Sequence, residues 1–140
     1  DLGISGKIMG ETINLDYNCG DEVNTIAVNV NAKAQTAGRI ISNVKVIKNG
    51  IVISDVSPMT PEYQAVINDQ VTADCFYRVE VTSLDYALYQ NQKYPYFYAW
   101  SNPIFVKLNV DYPDGDTNDD CKVDLCDLAN VAKDWLTGTN

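Results

Sequence analysis

"ISNVKVIKNGIVISDV", residues 41–56, reads as two strands joined at Asn49-Gly50. An Asn-Gly pair between apolar runs is the strongest short hairpin signal, because both residues tolerate the positive φ that a tight two-residue turn demands. The same period of two extends outward in both directions. In "NTIAVNVNAKA" (24–34), Ile26, Val28, Val30 and Ala32 face one way and Thr25, Ala27, Asn29 and Asn31 the other, the pattern of a half-buried strand. "CFYRVEVTSL" (75–84) alternates Tyr77, Val79 and Val81 against Phe76, Arg78 and Glu80, and "PIFVKLNV" (103–110) sets Ile104, Val106, Leu108 and Val110 on one face. Weaker segments lie near 4–8, 12–17, 62–67 and 94–100, for about seven to nine short strands in all. The expected fold is mainly β, an immunoglobulin-like β-sandwich spanning residues 1–111. Its opening "DLGISGKI" (1–8) pairs by default with its own sheet, the alternative being the open edge of a neighbouring copy.

Pro, Gly and Asp in "DYPDGD" (111–116) end the last strand, and the period then changes to 3.6. Leu125, Leu128, Val131 or Ala132, Trp135 and Leu136 form one stripe, with Asp127, Asn130, Lys133 and Asp134 off it. This predicts a single α-helix in a second unit, residues 112–140. A lone helix of about three turns is marginal by itself, so the stripe is expected to bury against the sandwich or another chain.

Between strand and helix, oxygen-bearing side chains recur at fixed spacing. Counting from Asp116 as position 1, Asn118, Asp120, Asp124 and Asp127 occupy positions 3, 5, 9 and 12, and Lys122 at position 7 offers its carbonyl. That is the twelve-residue calcium loop of the EF-hand. Alternate residues point inward around a hard cation, and the last ligand comes from the first turn of the exiting helix. Calcium prefers such oxygens to thiolates. Position 6, normally glycine, is Cys121; position 12 is Asp rather than Glu; Val123 at position 8 is the expected apolar anchor. The competing explanation is an acidic, solvated turn with an Asp helix cap.

Composition narrows the function. A net charge of −9 argues against nucleic-acid or anionic-membrane partners. No apolar run approaches the roughly 18 residues of a membrane-inserted helix. With 0 histidines, Ser-His-Asp triads, Cys-His dyads and histidine-ligated metallohydrolase centres are impossible within the chain. The scattered carboxylates of the sandwich form no catalytic constellation, so no enzyme activity is expected. Four cysteines in a small acidic chain predict disulfides and an extracellular or cell-surface setting. Strand-end placement favours Cys19–Cys75, and closeness in sequence favours Cys121–Cys126.

Residues 115–136, with Asp at position 12 and no entering helix, resemble one half of a type I dockerin repeat, the calcium-loop-plus-helix unit of bacterial cellulosome proteins. The resemblance implies calcium binding. Dockerins carry two such units and bind a cohesin; here there is one, so a cohesin-like receptor is one candidate partner and self-association another. The motifs "ISNVKVIKNGIVI", "ADCFYRVEVTS" and "YAWSNPIFVKL" resemble the C-terminal β-domain of bacterial PHP-family metal-dependent hydrolases, over roughly residues 24–108. That implies a sandwich accessory domain without the catalytic centre.

One stretch departs from this family. "LDYALYQNQKYPYFYAW" (84–100) carries Tyr86, Tyr89, Tyr94, Tyr96, Tyr98 and Trp100. Exposed rings there, Tyr86, Tyr89, Tyr94 and Tyr96 foremost, could stack on carbohydrate or form a protein interface; alternatively half are core and the rest shield a long hairpin. The expected function is a non-catalytic, calcium-stabilised extracellular structural or adhesive module, such as a filament subunit. The alternative is a dockerin-like or carbohydrate-binding accessory module of a larger secreted hydrolase.

Overall fold

The computed structural model describes residues 2–4, 6–18, 24–85 and 96–138. Among them run ten strands and one helix: β1 (Leu2–Ile4), β2 (Lys7–Ile8), β3 (Thr12–Asn18), β4 (Asn24–Lys33), β5 (Arg39–Lys48), β6 (Ile51–Val56), β7 (Glu62–Val71), β8 (Cys75–Asp85), β9 (Tyr96–Trp100), β10 (Ile104–Asp111) and α1 (Leu125–Thr137). The chain is mainly β, in two open sheets. One has the order β2-β1-β4-β7; the other runs β3-β10-β8-β5-β6, with β9 paired to β8.

The Asn49-Gly50 turn forms as its sequence demands. Asn49 has φ 48 and Gly50 φ 84, both left-handed, and Lys48 pairs directly with Ile51 across the turn. Asn49 also anchors the neighbouring strand: its side-chain oxygen accepts the Phe76 amide at 2.9 Å. Strand β1 pairs antiparallel with β4 of its own chain, Leu2 opposite Val30. Own-sheet pairing is therefore the arrangement in the monomer.

Alternation becomes a shared core. Ile26, Val28, Val30 and Ala32 of β4 are buried, together with Val44 and Val46 of β5, Tyr77 and Val79 of β8, and Ile104 and Val106 of β10, in one apolar cluster drawn from both sheets. Leu108 and Val110 on β10 are only half-buried, so the core thins towards the end of that strand. Each fully buried Val or Ile contributes about 1.5–3 kcal/mol, which makes this cluster the main source of stability.

A polar tie crosses between the sheets at one end. The Tyr77 hydroxyl donates to Asp69 Oδ2 at 2.5 Å, and Lys48 Nζ lies 2.7 Å from the same carboxylate while donating to the Gln70 carbonyl at 2.6 Å. Burial alone would raise the Asp69 pKa, but the bonds from Lys48 and Tyr77 outweigh it and hold the carboxyl below its ordinary range. Burial and the Asp69 bond push the Tyr77 phenol far up, so it stays a donor. A buried phenol thus keeps its partner.

Candidate functional site

β3 and β10 run parallel, with Asn18 opposite Asp111, and from there the chain leaves the sheet towards the helix. The Asp116 amide donates to the Pro113 carbonyl at 3.0 Å, and Gly115, at φ +99, lets the chain reverse with Val123 packed 3.5 Å from where a Cβ would stand. The acidic side chains then fold onto the loop's own backbone. Asp116 accepts the Asp120 amide at 3.3 Å on one oxygen and the Cys121 amide at 2.7 Å on the other. Asn118 Oδ1 accepts the Asp120 amide at 3.2 Å, and Asp120 Oδ1 accepts the Lys122 amide at 3.0 Å. These bonds tie Asp116, Asn118 and Asp120 to the loop's own amides.

Asp119 and Cys121 adopt left-handed backbone, φ 58 and φ 66. They are positions 4 and 6 counted from Asp116, and position 6 is the one normally given to glycine. A Cβ in this region costs roughly 1–2 kcal/mol, so Cys121 sits in a glycine conformation at an energetic cost.

The loop ends in a reciprocal helix cap. Asp124 is the N-cap of α1 and accepts the Cys126 amide at 2.7 Å, while Asp127 Oδ2 accepts the Asp124 amide at 2.7 Å. The other Asp127 oxygen accepts the Thr117 amide at 2.7 Å, so this one carboxylate closes loop and helix together. Asp127 is buried at 3% exposure, and the amides of Asp124 and Thr117 hold its pKa below the ordinary value. Thr117 was not among the ligand candidates: its role is to donate to Asp127 from backbone and hydroxyl, and a threonine at position 2 carries no sequence signal for that. At the far end, Gly138 at φ 65 donates to the Trp135 carbonyl and stops the helix.

The six candidate ligands therefore occupy one loop, with Asp127 buried, Asp116 half-buried and Asn118, Asp120, Lys122 and Asp124 exposed. Among the described residues, no three acidic, cysteine or histidine side chains gather closely enough to hold a metal as they stand. The donor set is nonetheless all oxygen, which is the chemistry calcium takes.

Three expectations require correction. Cys75 and Cys126 carry free thiols, so neither Cys19–Cys75 nor Cys121–Cys126 forms. Cys75 starts β8 and is buried in the core, whereas Cys126 is exposed in the first turn of α1. Cys121 is disulfide-bonded, and Cys19 lies outside the described residues. Second, the helix stripe is not covered by the sandwich: Leu125, Leu128, Val131, Trp135 and Leu136 are all exposed, Trp135 at 84%, which leaves burial against another chain as the expectation that stands. The expected anchor Val123 is also exposed. The 3.6 period marks the apolar face correctly but cannot say whether the same chain covers it.

Tyr86, Tyr89 and Tyr94 lie outside the described residues. Tyr96 begins β9, and its whole strand is exposed, including Tyr98 and Trp100, whose ring planes lie within 17° of parallel. No described helix is long and apolar enough to cross a membrane. Comparison with family models, characterised proteins and solved structures finds no match.

Proposed function

We propose that residues 112–140 are a calcium-binding unit whose ion is structural, attached to an immunoglobulin-like sandwich, and that the whole is a non-catalytic extracellular module with a structural or adhesive role. The observation that carries this reading is the loop backbone, left-handed at Asp119 and Cys121 while Asp116 gathers the amides of Asp120 and Cys121. A helix cap alone needs Asp124 and Asp127; it gives no reason for Asp116, Asn118 and Asp120 to line the loop, nor for Cys121 to take a glycine conformation. The side chains of Asp116, Asn118, Asp120, Asp124 and Asp127 and the Lys122 carbonyl would hold the ion. Calcium would supply the positive charge that four neighbouring carboxylates lack. The sandwich reading is supported by the single core shared between two sheets, and the lack of catalysis by a chain with 0 histidines. Equilibrium dialysis tests the site: one calcium per chain is expected, abolished by Asp116→Ala with the β-sheet circular dichroism unchanged. No bound ion in the wild type contradicts it.

The exposed stripe on α1 favours a second reading, in which the dockerin-like unit docks to a protein, either a cohesin-like receptor or another copy. Five large apolar side chains in one row, at 50% exposure or more, form a face that a partner would bury. Gel filtration with calcium, with and without Trp135→Asp, separates self-association from a monomer awaiting a receptor.

A further inference from the structure

The outer face of the larger sheet carries aromatic rings beside a prepared polar floor. On β9, Tyr98 and Trp100 point to the same side, two residues apart, with ring centroids 6.3 Å apart. They are 63% and 65% exposed. Two adjacent exposed rings form an apolar surface suited to an occupant.

The neighbours on that face identify the occupant's chemistry. Across the ladder, Trp100 stands opposite Glu80 and Tyr98 opposite Thr82. One strand further, Glu80 faces Lys45 and Thr82 faces Asn43. These polar groups are already fixed: Arg78 pairs with Glu80 at 3.0 Å, Lys45 with Asp55 at 3.8 Å, and Asn43 Nδ2 donates to Asp55 at 2.6 Å. Two cations and two anions cancel, so this face is neutral on a chain of net charge −9.

We propose that this face binds an extended neutral polysaccharide. Flat aromatic faces stack on the apolar C–H faces of pyranose rings, and the side chains beside them exchange hydrogen bonds with the hydroxyls. A protein partner fits less well, because charged groups are depleted from the centre of protein interfaces, and here Glu80, paired with Arg78, stands directly opposite Trp100. An anionic glycan would gain nothing from a neutral face and would be repelled by the chain as a whole. A flat strand surface suits an extended β-linked chain better than a coiled α-linked one. Because the rings stand on a paired strand, little ordering is needed on binding. This ligand is additional to the calcium unit and independent of it.

Native affinity electrophoresis tests the proposal, with hydroxyethyl cellulose, xylan, galactomannan, amylose or polygalacturonate cast in the gel. The wild type should be retarded by at least one of the neutral β-linked polymers, equally with calcium and with chelator, and by neither amylose nor polygalacturonate. Trp100→Ala and Tyr98→Ala should each weaken binding about tenfold, the equivalent of about 1.4 kcal/mol. Trp135→Ala, on the helix, should bind as wild type. Both ring substitutions are at exposed positions, and far-UV circular dichroism establishes that each variant folds. The proposal is overturned by no retardation on any β-linked polymer, by unchanged binding in both ring variants, by preference for polygalacturonate, or by a dimer that Trp100→Ala dissociates. Loss of binding on chelation would overturn its independence from the calcium unit without touching calcium binding itself.

Discussion

Cys126 and Cys75 differ in surroundings, and their chemistry should differ accordingly. The Cys126 thiol is exposed, but a hydrogen bond to Asp124 and the negative charge of that carboxylate raise its pKa. Cys75 is raised by burial. Of the two free thiols, alkylation of the folded protein should therefore modify Cys126, more slowly than a free cysteine, with Cys75 reacting only on unfolding. Mass spectrometry after timed labelling reads this; early labelling of Cys75 would contradict the buried assignment. Sequence alone could count the cysteines but not pair them, because pairing depends on which strand ends meet in space.

At the scale of elements, the Asp124–Asp127 cap is what starts α1. Asp124→Ala should remove the N-cap bond to Cys126 and cost about 1 kcal/mol of helix stability. Hydrogen exchange of the helix amides should accelerate about fivefold, while the strand amides stay protected. Uniform acceleration across the sheets would mean that helix and sheets unfold as one unit. Strand identity was legible because period two and the Asn-Gly turn are local signals, and the buried face of β4 is the one its alternation marks. The parallel pairing of β3 with β10 was not legible, since it joins Thr12 to Phe105 across most of the chain. The loop's fixed spacing of oxygen side chains was legible, and the structure adds its left-handed turns at Asp119 and Cys121. Coverage of the α1 stripe was not, because amphipathicity names a face and never its partner.

For the whole molecule, the tie between the sheets links stability to pH. Asp69 and Asp127 both titrate below the ordinary aspartate value of 3.8 when folded. A carboxylate with a depressed folded pKa contributes stability that is fully present above its unfolded pKa and lost as pH falls through the folded one. The melting temperature should therefore be flat above about pH 5 and fall as the pH drops below the unfolded value. Tyr77→Phe leaves the Asp69 carboxylate short of a donor at the sheet junction and should cost about 1–3 kcal/mol. Denaturant unfolding at pH 7 measures it, and the acid slope should shrink in the same variant. An unchanged midpoint would show that the junction contributes nothing.

The proposed calcium site would add a condition-dependent term of its own. Five carboxylates between residues 116 and 127 repel one another without a cation, and on the proposed reading calcium would stabilise the folded loop by about 2.7 kcal/mol at a hundredfold excess over Kd, because the unfolded chain would scarcely bind. The most direct measurement is calorimetric titration of the chelator-stripped protein with calcium and then with magnesium, paired with thermal melts in both states. The predicted result is one calcium per chain, weaker binding of magnesium, and a higher melting transition of the loop–helix unit with calcium. Identical melts with and without chelator, or magnesium bound as tightly as calcium, would contradict the structural-calcium account.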